Sequence, residues 1–260
     1  MVDYFQVEGL LNEEEKRFRD KVRRFVDEEC MPLIATHFDN GTFPMELIPR
    51  MAEMGLFGLH VDGYGCTRSN HTIYGLICQE LGRCDSGLRA MFSVQNSLVM
   101  YPIYAFGSEE QKSRWLPRMA RGQAIGCFGL SEPDFGSNSS GMETRAVKQG
   151  DHYLLNGTKM WITNGSVASV ALIWAKIDDE IRGGPGRSWD SGISSSPDPE
   201  EVLLPNLSHF RPDVQGLQDS RKKPSPGSQG LEIGFELPEL CPVRGRLRRL
   251  RLRHCLLRSR

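Results

Sequence analysis

One polar segment carries residue types that can bind a planar or phosphorylated ligand. It reads CFGLSEPDFGSNSSGMETRA over residues 127–146, and its glycines and hydroxyl residues directly follow a short apolar run. Glycines let the backbone approach a ligand closely, and free N–H and hydroxyl groups hydrogen-bond a polar ring or a phosphate. By composition alone, such a loop is more often a simple connection between strands. Residues 127–146 are therefore a candidate binding segment that needs a second element.

A second segment offers an aromatic face beside a hydroxyl. It reads LNGTKMWITNGS over residues 155–166. Trp161 offers an aromatic face, and Thr163 offers a hydroxyl that can donate or accept a hydrogen bond. A single tryptophan is more often a core residue, so this segment gains meaning only beside the first.

Metal-ligand spacing is absent, so we predict no metal site. The seven cysteines are scattered and include no CxxC pair, which favours thiols kept reduced in a cytosol. A GxGxxG turn opening a helix is also absent, which argues against a Rossmann phosphate site. The cysteines are Cys30, Cys66, Cys78, Cys84, Cys127, Cys241 and Cys255.

Residues 1–122 are predicted to be helical. Asn12 is a suitable N-cap, and apolar residues recur after it at the spacing of one helix face. Ser108 and Gln111 form a capping-box pattern before a last helix. Other helices are predicted between Pro44 and Gly55, over residues 70–82 and over residues 86–106.

Strands are predicted after Gly122. The dipeptide Asn156-Gly157 indicates a hairpin, because a type I′ turn needs positive φ at both central positions. A second turn is predicted at Gln149-Gly150-Asp151. The predicted strands cover Ala124–Leu130, Met142–Lys148, His152–Asn156, Lys159–Thr163 and Ala168–Ile177.

The order of helices first and antiparallel strands second predicts an α+β fold. We expect a helical domain over residues 1–122 and a partial β-domain over residues 123–183. Residues 184–260 show no sustained period and are rich in Gly, Ser, Pro and Asp at their start, which predicts a largely disordered tail.

The net charge of −1 gives no electrostatic reason to expect a nucleic-acid or membrane partner. The exception is Pro242–Arg260, which has eight arginines and no acid. A basic arm that binds polyanions is the alternative reading of this tail, although aromatic residues are not interleaved with the charges.

The N-terminal segment MVDYFQVEGLLNEEEKRF is acidic and has no apolar core. It resembles neither a signal peptide nor a transit peptide, so we expect a cytoplasmic protein, or a mitochondrial matrix protein if the N-terminus is incomplete.

Together the two segments resemble the flavin-contacting signatures of the acyl-CoA dehydrogenase family, and the resemblance extends over about residues 10–183. It implies FAD as the cofactor, with Ser131 as a hydrogen-bond partner of the ring edge and Thr163 near the hydride-accepting nitrogen. It implies that Gly136 and Ser137 contact flavin or CoA near the phosphates. The cofactor-binding residues implied are Phe128, Leu130, Ser131, Gly136, Ser137, Trp161, Ile162 and Thr163.

The stretch LGRCDSGLRAMFSVQNSLVMYPI over residues 81–103 resembles the glutaryl-CoA dehydrogenase branch of that family. In that branch an arginine at the position of Arg89 holds the distal carboxylate of the glutaryl chain, as a planar guanidinium can. Ala90 and Ser137 complete the implied substrate site. Leu88 stands where the branch has tyrosine, and Ala90 where it has serine, so a short-chain or branched-chain acyl-CoA remains the alternative substrate.

The resemblance implies α,β-dehydrogenation of an acyl-CoA thioester, followed in the glutaryl branch by loss of CO2 to give crotonyl-CoA. It also implies electron-transferring flavoprotein as a partner and a homotetramer. The family's catalytic glutamate belongs to a C-terminal helical domain that we do not find here, so we assign no catalytic base and expect a truncated chain that is poorly active or inactive.

The tail can also be interpreted as family sequence translated in a shifted reading frame. Codons can be chosen for ELPELCPVRG, residues 236–245, that read Asn-Cys-Leu-Asn-Ser-Ala-Arg-Tyr-Gly one base later. A segment of that kind occurs in the family's C-terminal domain. The hypothesis is tested by sequencing the coding DNA across codons 175–260.

Overall fold

The computed structural model describes residues 6–149, 152–187, 194–195 and 201–204. The helical part comes first. A 3-10 turn over Val7–Leu10 precedes α1, Glu13–Phe25, which runs through a π-helical segment, Val26–Cys30, into α2, Met31–Asn40. Asn12 caps α1 in a complete capping box with Glu15, which confirms the predicted start of this helix.

The remaining helices follow the predicted segments closely. Asn70 and Ser108 provide two of the N-caps, and Ser108 forms the predicted capping box with Gln111. The helix predicted from Pro44 begins three residues later, at Leu47, within the usual uncertainty of helix ends. The helices are α3 Leu47–Glu53, α4 His71–Cys84, α5 Ser86–Ser93, a π-helical segment Val94–Met100, α6 Tyr101–Phe106 and α7 Glu109–Ala120.

A sheet follows the helices, as the α+β prediction requires. The strands are β1 Gly126–Gly129, β2 Arg145–Gln149, β3 His152–Met160, β4 Val170–Ile177, β5 Glu180–Arg187, β6 Ser194–Ser195 and β7 Glu201–Leu204. Their order in the sheet is β1-β4-β2-β3-β7-β6, and β5 pairs with β4 on the edge opposite β1.

The prediction of antiparallel pairing is correct for most neighbours, but β1 and β4 run parallel. A single residue pair, Arg145 and Lys176, also joins β2 to β4 in parallel. The parallel strands β1 and β4 are not connected directly, because the β2–β3 hairpin lies between them in sequence.

The predicted hairpin at Asn156-Gly157 is wrong. Both residues lie inside β3, and the hairpin is formed one turn earlier, where Gln149 pairs with His152 as the second turn signal predicted. The dipeptide marks the point where β3 changes neighbours, because residues up to Asn156 pair with β2 and those from Gly157 pair with β7.

The sheet continues beyond the predicted boundary at residue 183. Strand β5 runs on to Arg187, and β7 pairs with β3. The parts of the predicted disordered tail that the structure describes are therefore strands, and the rest of 184–260 lies outside the described residues. The domain boundaries themselves stay predictions.

One large apolar core fills the helical part and reaches into the sheet, since Ile125 and Val170 belong to it. Gly126 lies where the two parts meet, and a Cβ there would stand 2.6 Å from Val99 Cγ1. Glycine has no side chain, so β1 can pack closely against Val99 at this position. Among the described residues no helix is both long and apolar enough to cross a membrane.

Candidate functional site

A backbone hydrogen bond joins the two candidate segments. The N–H of Met160, at the end of β3, donates to the carbonyl of Ser131 across 3.0 Å. Beside it, Lys159 Nζ donates to the carbonyl of Leu130 across 3.0 Å. The polar segment after β1 and the aromatic segment after β3 therefore lie side by side, as the resemblance implied.

The turn after β3 presents an aromatic ring to solvent. Trp161 has a left-handed backbone (φ 61°) and is 61% exposed, which is unusual for an indole. Asn164, also left-handed, donates from Nδ2 to the carbonyl of Gly126 across 2.9 Å and so ties the turn to β1. Within the described residues, the N–H groups of Trp161, Ile162 and Thr163 have no acceptor.

The side chains of β1 point to two faces of the sheet. Phe128 and Leu130 share one face, where Phe128 meets Trp174 edge to face with ring centroids 6.2 Å apart. Ile162 packs on the other face, in the cluster that contains Cys127. The Ile162 side chain thus packs against the sheet core.

A buried ion pair joins the two segments. Lys159 is fully buried and Glu132 is 6% exposed, and Lys159 Nζ stands 2.8 Å from Glu132 Oε1. The same carboxylate accepts the N–H groups of Glu143 (2.6 Å) and Thr144 (3.0 Å). Burial opposes ionisation of Glu132, but these donors outweigh it and hold its pKa below the ordinary value. Burial lowers the pKa of Lys159, and the Glu132 carboxylate opposes that shift.

The loop between β1 and β2 contains the predicted phosphate contacts. Gly136 and Ser137 are both exposed, and no atom lies within 4 Å of a Cβ placed on Gly136. The loop is folded on itself, since the N–H of Phe135 donates to the Glu132 carbonyl across 3.1 Å. The two predicted residues are thus accessible to a ligand.

Arg89 lies on α5, apart from the strands. Asp85 caps this helix by accepting the Leu88 N–H across 2.6 Å, and Leu88 is fully buried in the helical core. Arg89 is exposed, and it forms no hydrogen bond or ion pair with any described residue. Ala90 is half-buried. Arg89 therefore forms no helix-surface salt bridge within the described part of the chain.

Sequence reasoning missed two consecutive buried amides, Gln95 and Asn96, in the π-helical segment. Asn96 accepts the N–H groups of Gly58 and Leu59 and donates to the carbonyls of Leu56 and Phe92, all within 3.1 Å. The sequence signal that could have identified them is the occurrence of two amide residues inside an otherwise apolar helical stretch. Asn164, Lys159 and Glu132 were also missed, because their roles depend on contacts distant in sequence.

The buried carboxylates among the described residues are all engaged in structural bonds. Glu15 completes the cap of α1, Glu80 accepts from Arg23 and Arg83, and Glu132 pairs with Lys159. The described residues also contain no group of three or more His, Cys, Asp or Glu that could hold a metal ion. No described carboxylate is therefore placed as a free buried base.

Comparison with known families agrees with this architecture of a helical domain followed by a sheet domain. Residues 12–123 match the acyl-CoA dehydrogenase N-terminal domain, and residues 127–191 match the acyl-CoA dehydrogenase middle domain. The chain belongs to the acyl-CoA dehydrogenase family, whose members are FAD-dependent oxidoreductases.

Solved and curated relatives give a finer picture. A glutaryl-CoA dehydrogenase from Mycobacterium smegmatis, solved with FADH2, is 45% identical with a TM-score of 0.76, over 81% of this chain and 57% of that one. A probable acyl-CoA dehydrogenase of Bacillus subtilis is 38% identical over 64% of this chain and 44% of its own length. A short-chain specific acyl-CoA dehydrogenase of Clostridium acetobutylicum is 36% identical over 65% of this chain and 45% of its own length. The chain spans about half the length of the curated relatives it matches.

Proposed function

We propose that the described residues form the cofactor- and acyl-binding part of a flavin-dependent acyl-CoA dehydrogenase. The observation that carries this proposal is the hydrogen bond from the Met160 N–H to the Ser131 carbonyl, which unites the two flavin-like segments. Beside it lie an exposed indole and three N–H groups without an acceptor among the described residues. Such a set of donors next to an aromatic face suits a flat, polar ring.

The residues present fit FAD. Trp161 supplies a face for the ring, and the Thr163 N–H and hydroxyl lie on the same turn to bind its polar edge. The Ser131 hydroxyl faces no hydrogen-bond partner among the described residues, and the exposed Gly136 and Ser137 can approach a phosphate. When bound, flavin supplies the acceptor for the hydride that leaves the β-carbon of the acyl chain.

The substrate we propose is glutaryl-CoA, with oxidative decarboxylation to crotonyl-CoA. Arg89 supports this choice because its guanidinium is exposed and has no ion-pair partner among the described residues, so it can bind a second carboxylate. The 45% identity to a glutaryl-CoA dehydrogenase favours the same substrate. The alternative is a short-chain acyl-CoA, which is favoured by the curated relative of that specificity and by Ala90.

Abstraction of the α-proton needs a base, and the described residues offer none that is free and buried. We therefore propose that the base lies outside them, and without that base we expect glutaryl-CoA to be turned over poorly. Electron-transferring flavoprotein as acceptor and a homotetrameric assembly remain part of the proposal. Measurable turnover with an artificial electron acceptor would show that a base is present.

Binding tests this proposal without requiring turnover. Glutaryl-CoA and butyryl-CoA are titrated separately into the flavin-loaded protein, and the flavin absorbance spectrum reports the occupancy of the acyl site. We expect both to perturb the spectrum, with glutaryl-CoA the tighter ligand. Tighter binding of butyryl-CoA would support the short-chain alternative. A colourless protein that binds heparin would instead favour the basic-tail alternative.

A further inference from the structure

The buried ion pair of Lys159 and Glu132 connects the two segments of the candidate site. Lys159 lies on β3, immediately before Met160 and Trp161. Its Nζ donates to the Leu130 carbonyl at the end of β1 and to Glu132 Oε1, both within 3.0 Å. The pair therefore fixes the start of the polar loop against the strand that leads to the exposed indole.

The same pair also fixes the other end of that loop. The two oxygens of Glu132 accept the N–H groups of Glu143 and Thr144, just before β2 begins. We name residues 131–144 the cofactor loop. The Glu132 carboxylate, near the start of this loop, binds the backbone at its end and so holds the two ends together. Ser131, Gly136 and Ser137, the proposed flavin and CoA contacts, all lie within this closure.

General stability does not require a charged pair at this position. Two well-packed apolar side chains of similar size often stabilise a fold as well as a buried ion pair does, because burying charges is costly. What the apolar pair cannot do is accept two N–H groups and donate to a carbonyl in fixed directions. The ion pair therefore supplies geometry to the cofactor loop in addition to packing.

We propose that Lys159 and Glu132 are positioning residues that set the cofactor loop in its flavin-binding geometry. This inference rests on the proposed function, since it assumes that the loop binds flavin. Both side chains are buried, so neither presents a surface that a ligand bound by the loop would touch. They act through the backbone of Leu130, Glu143 and Thr144.

The test compares flavin binding with stability in matched variants. Lys159→Met leaves the Glu132 charge unpaired, and we expect a fall in melting temperature together with an FAD dissociation constant raised at least tenfold. The double variant Lys159→Met, Glu132→Met removes both charges but leaves the N–H groups of Glu143 and Thr144 without their acceptor, so we expect its melting temperature to recover only in part. Its FAD dissociation constant should stay raised at least tenfold, and the visible circular dichroism of bound flavin should remain altered, because the loop N–H groups have lost their acceptor.

Arg145→Met is the control, since Arg145 forms an exposed ion pair with Asp179 in the same sheet. We expect it to bind FAD as the original chain does. If the double variant unfolds at the titration temperature, Glu132→Gln replaces it as the test variant. Its side chain keeps one oxygen acceptor, so we expect the protein to stay folded. We expect its FAD dissociation constant to be measurably raised.

Two outcomes would overturn the proposal, and they differ. If the unsubstituted chain is folded and does not bind FAD, the proposed function fails and the inference fails with it. If the unsubstituted chain binds FAD and the folded double variant, or folded Glu132→Gln, binds it equally well, only the inference fails.

Discussion

Gln95 and Gly126 are joined by a hydrogen bond of 2.8 Å from the Gly126 N–H to Gln95 Oε1, at the junction of the helical part and the sheet. The same amide donates from Nε2 to the Ala124 carbonyl across 3.0 Å. The Gly126 carbonyl in turn accepts from Asn164. One helix side chain and one turn side chain thus hold the start of β1, the strand that leads into the cofactor loop.

Gln95→Leu should destabilise the fold. Leucine is similar in size but leaves the Ala124 carbonyl and the Gly126 N–H buried without partners, so we expect a loss of about 3 kcal/mol in the free energy of unfolding. Urea denaturation measures the loss. Gln79→Leu, on the exposed side of α4, is the control and should change stability by less than about 0.5 kcal/mol. Equal effects of the two substitutions would show that the Gln95 hydrogen bonds do not matter.

Gly157→Ala should also destabilise the sheet. The Gly157 φ of 152° is unfavourable for other residues, and a Cβ there would lie 2.7 Å from Thr144 Cα. We expect a loss of about 2 kcal/mol, measured by thermal unfolding. Gly75→Ala on α4 is the counterpart, because its Cβ meets no atom within 4 Å and alanine favours a helix by about 0.7 kcal/mol. Unchanged stability in Gly157→Ala would show that Thr144 moves aside freely.

Arg89→Met should change substrate preference without changing stability. Because Arg89 is exposed and has no partner among the described residues, its loss leaves no buried charge. Loss of a charge-assisted pair to the distal carboxylate should weaken glutaryl-CoA binding by about 2 kcal/mol, or ~30-fold, and leave butyryl-CoA binding unchanged. The affinity of Arg89→Lys for glutaryl-CoA should lie between those of Arg89→Met and the unsubstituted chain, since an ammonium keeps the charge but lacks the planar fork of a guanidinium.

Arg17→Met, on the exposed face of α1, is the control for the Arg89 variants and should leave both affinities as they were. The ratio of the two dissociation constants is the measurement. An unchanged ratio in Arg89→Met would remove Arg89 from the substrate site and favour the short-chain alternative.

Glu132 should make stability depend on pH on the acid side. Its folded pKa lies below the ordinary value of 4.5, so the folded state binds fewer protons than the unfolded state as pH falls past that value. The stabilising effect of ionised Glu132 is complete above about pH 5 and is lost as pH falls through the folded pKa. The difference in unfolding free energy between the unsubstituted chain and Glu132→Gln should therefore be largest at neutral pH and shrink towards pH 3. A difference that stays constant across this range would contradict the assignment.

Local signals allowed much of the helical part to be predicted. Three of the predictions depend on neighbours within a few residues, and all three are confirmed: the N-cap at Asn12, the capping box at Ser108, and a hairpin in which Gln149 pairs with His152. The hairpin predicted at Asn156-Gly157 was wrong because its cue is local, whereas β3 is stabilised by two different partner strands.

In the candidate site, too, some features could be predicted from the sequence and others depend on contacts distant in sequence. Resemblance identified Ser131 and Trp161 as members of two segments, and the structure places those segments side by side. The Lys159–Glu132 pair joins residues 27 positions apart, and the bond from Gly126 to Gln95 spans 31. Such contacts have no periodic signature, so they emerge only when the chain is folded.

Titration of the purified chain with FAD tests the account most directly. The absorbance spectrum and the quenching of flavin fluorescence report binding, and a Trp161→Ala variant reports whether the exposed indole takes part. We predict saturable binding of one FAD per chain, a structured visible spectrum, and at least tenfold weaker binding by Trp161→Ala. A chain whose circular dichroism shows the helices and sheet described above, yet which binds no FAD, would contradict the account.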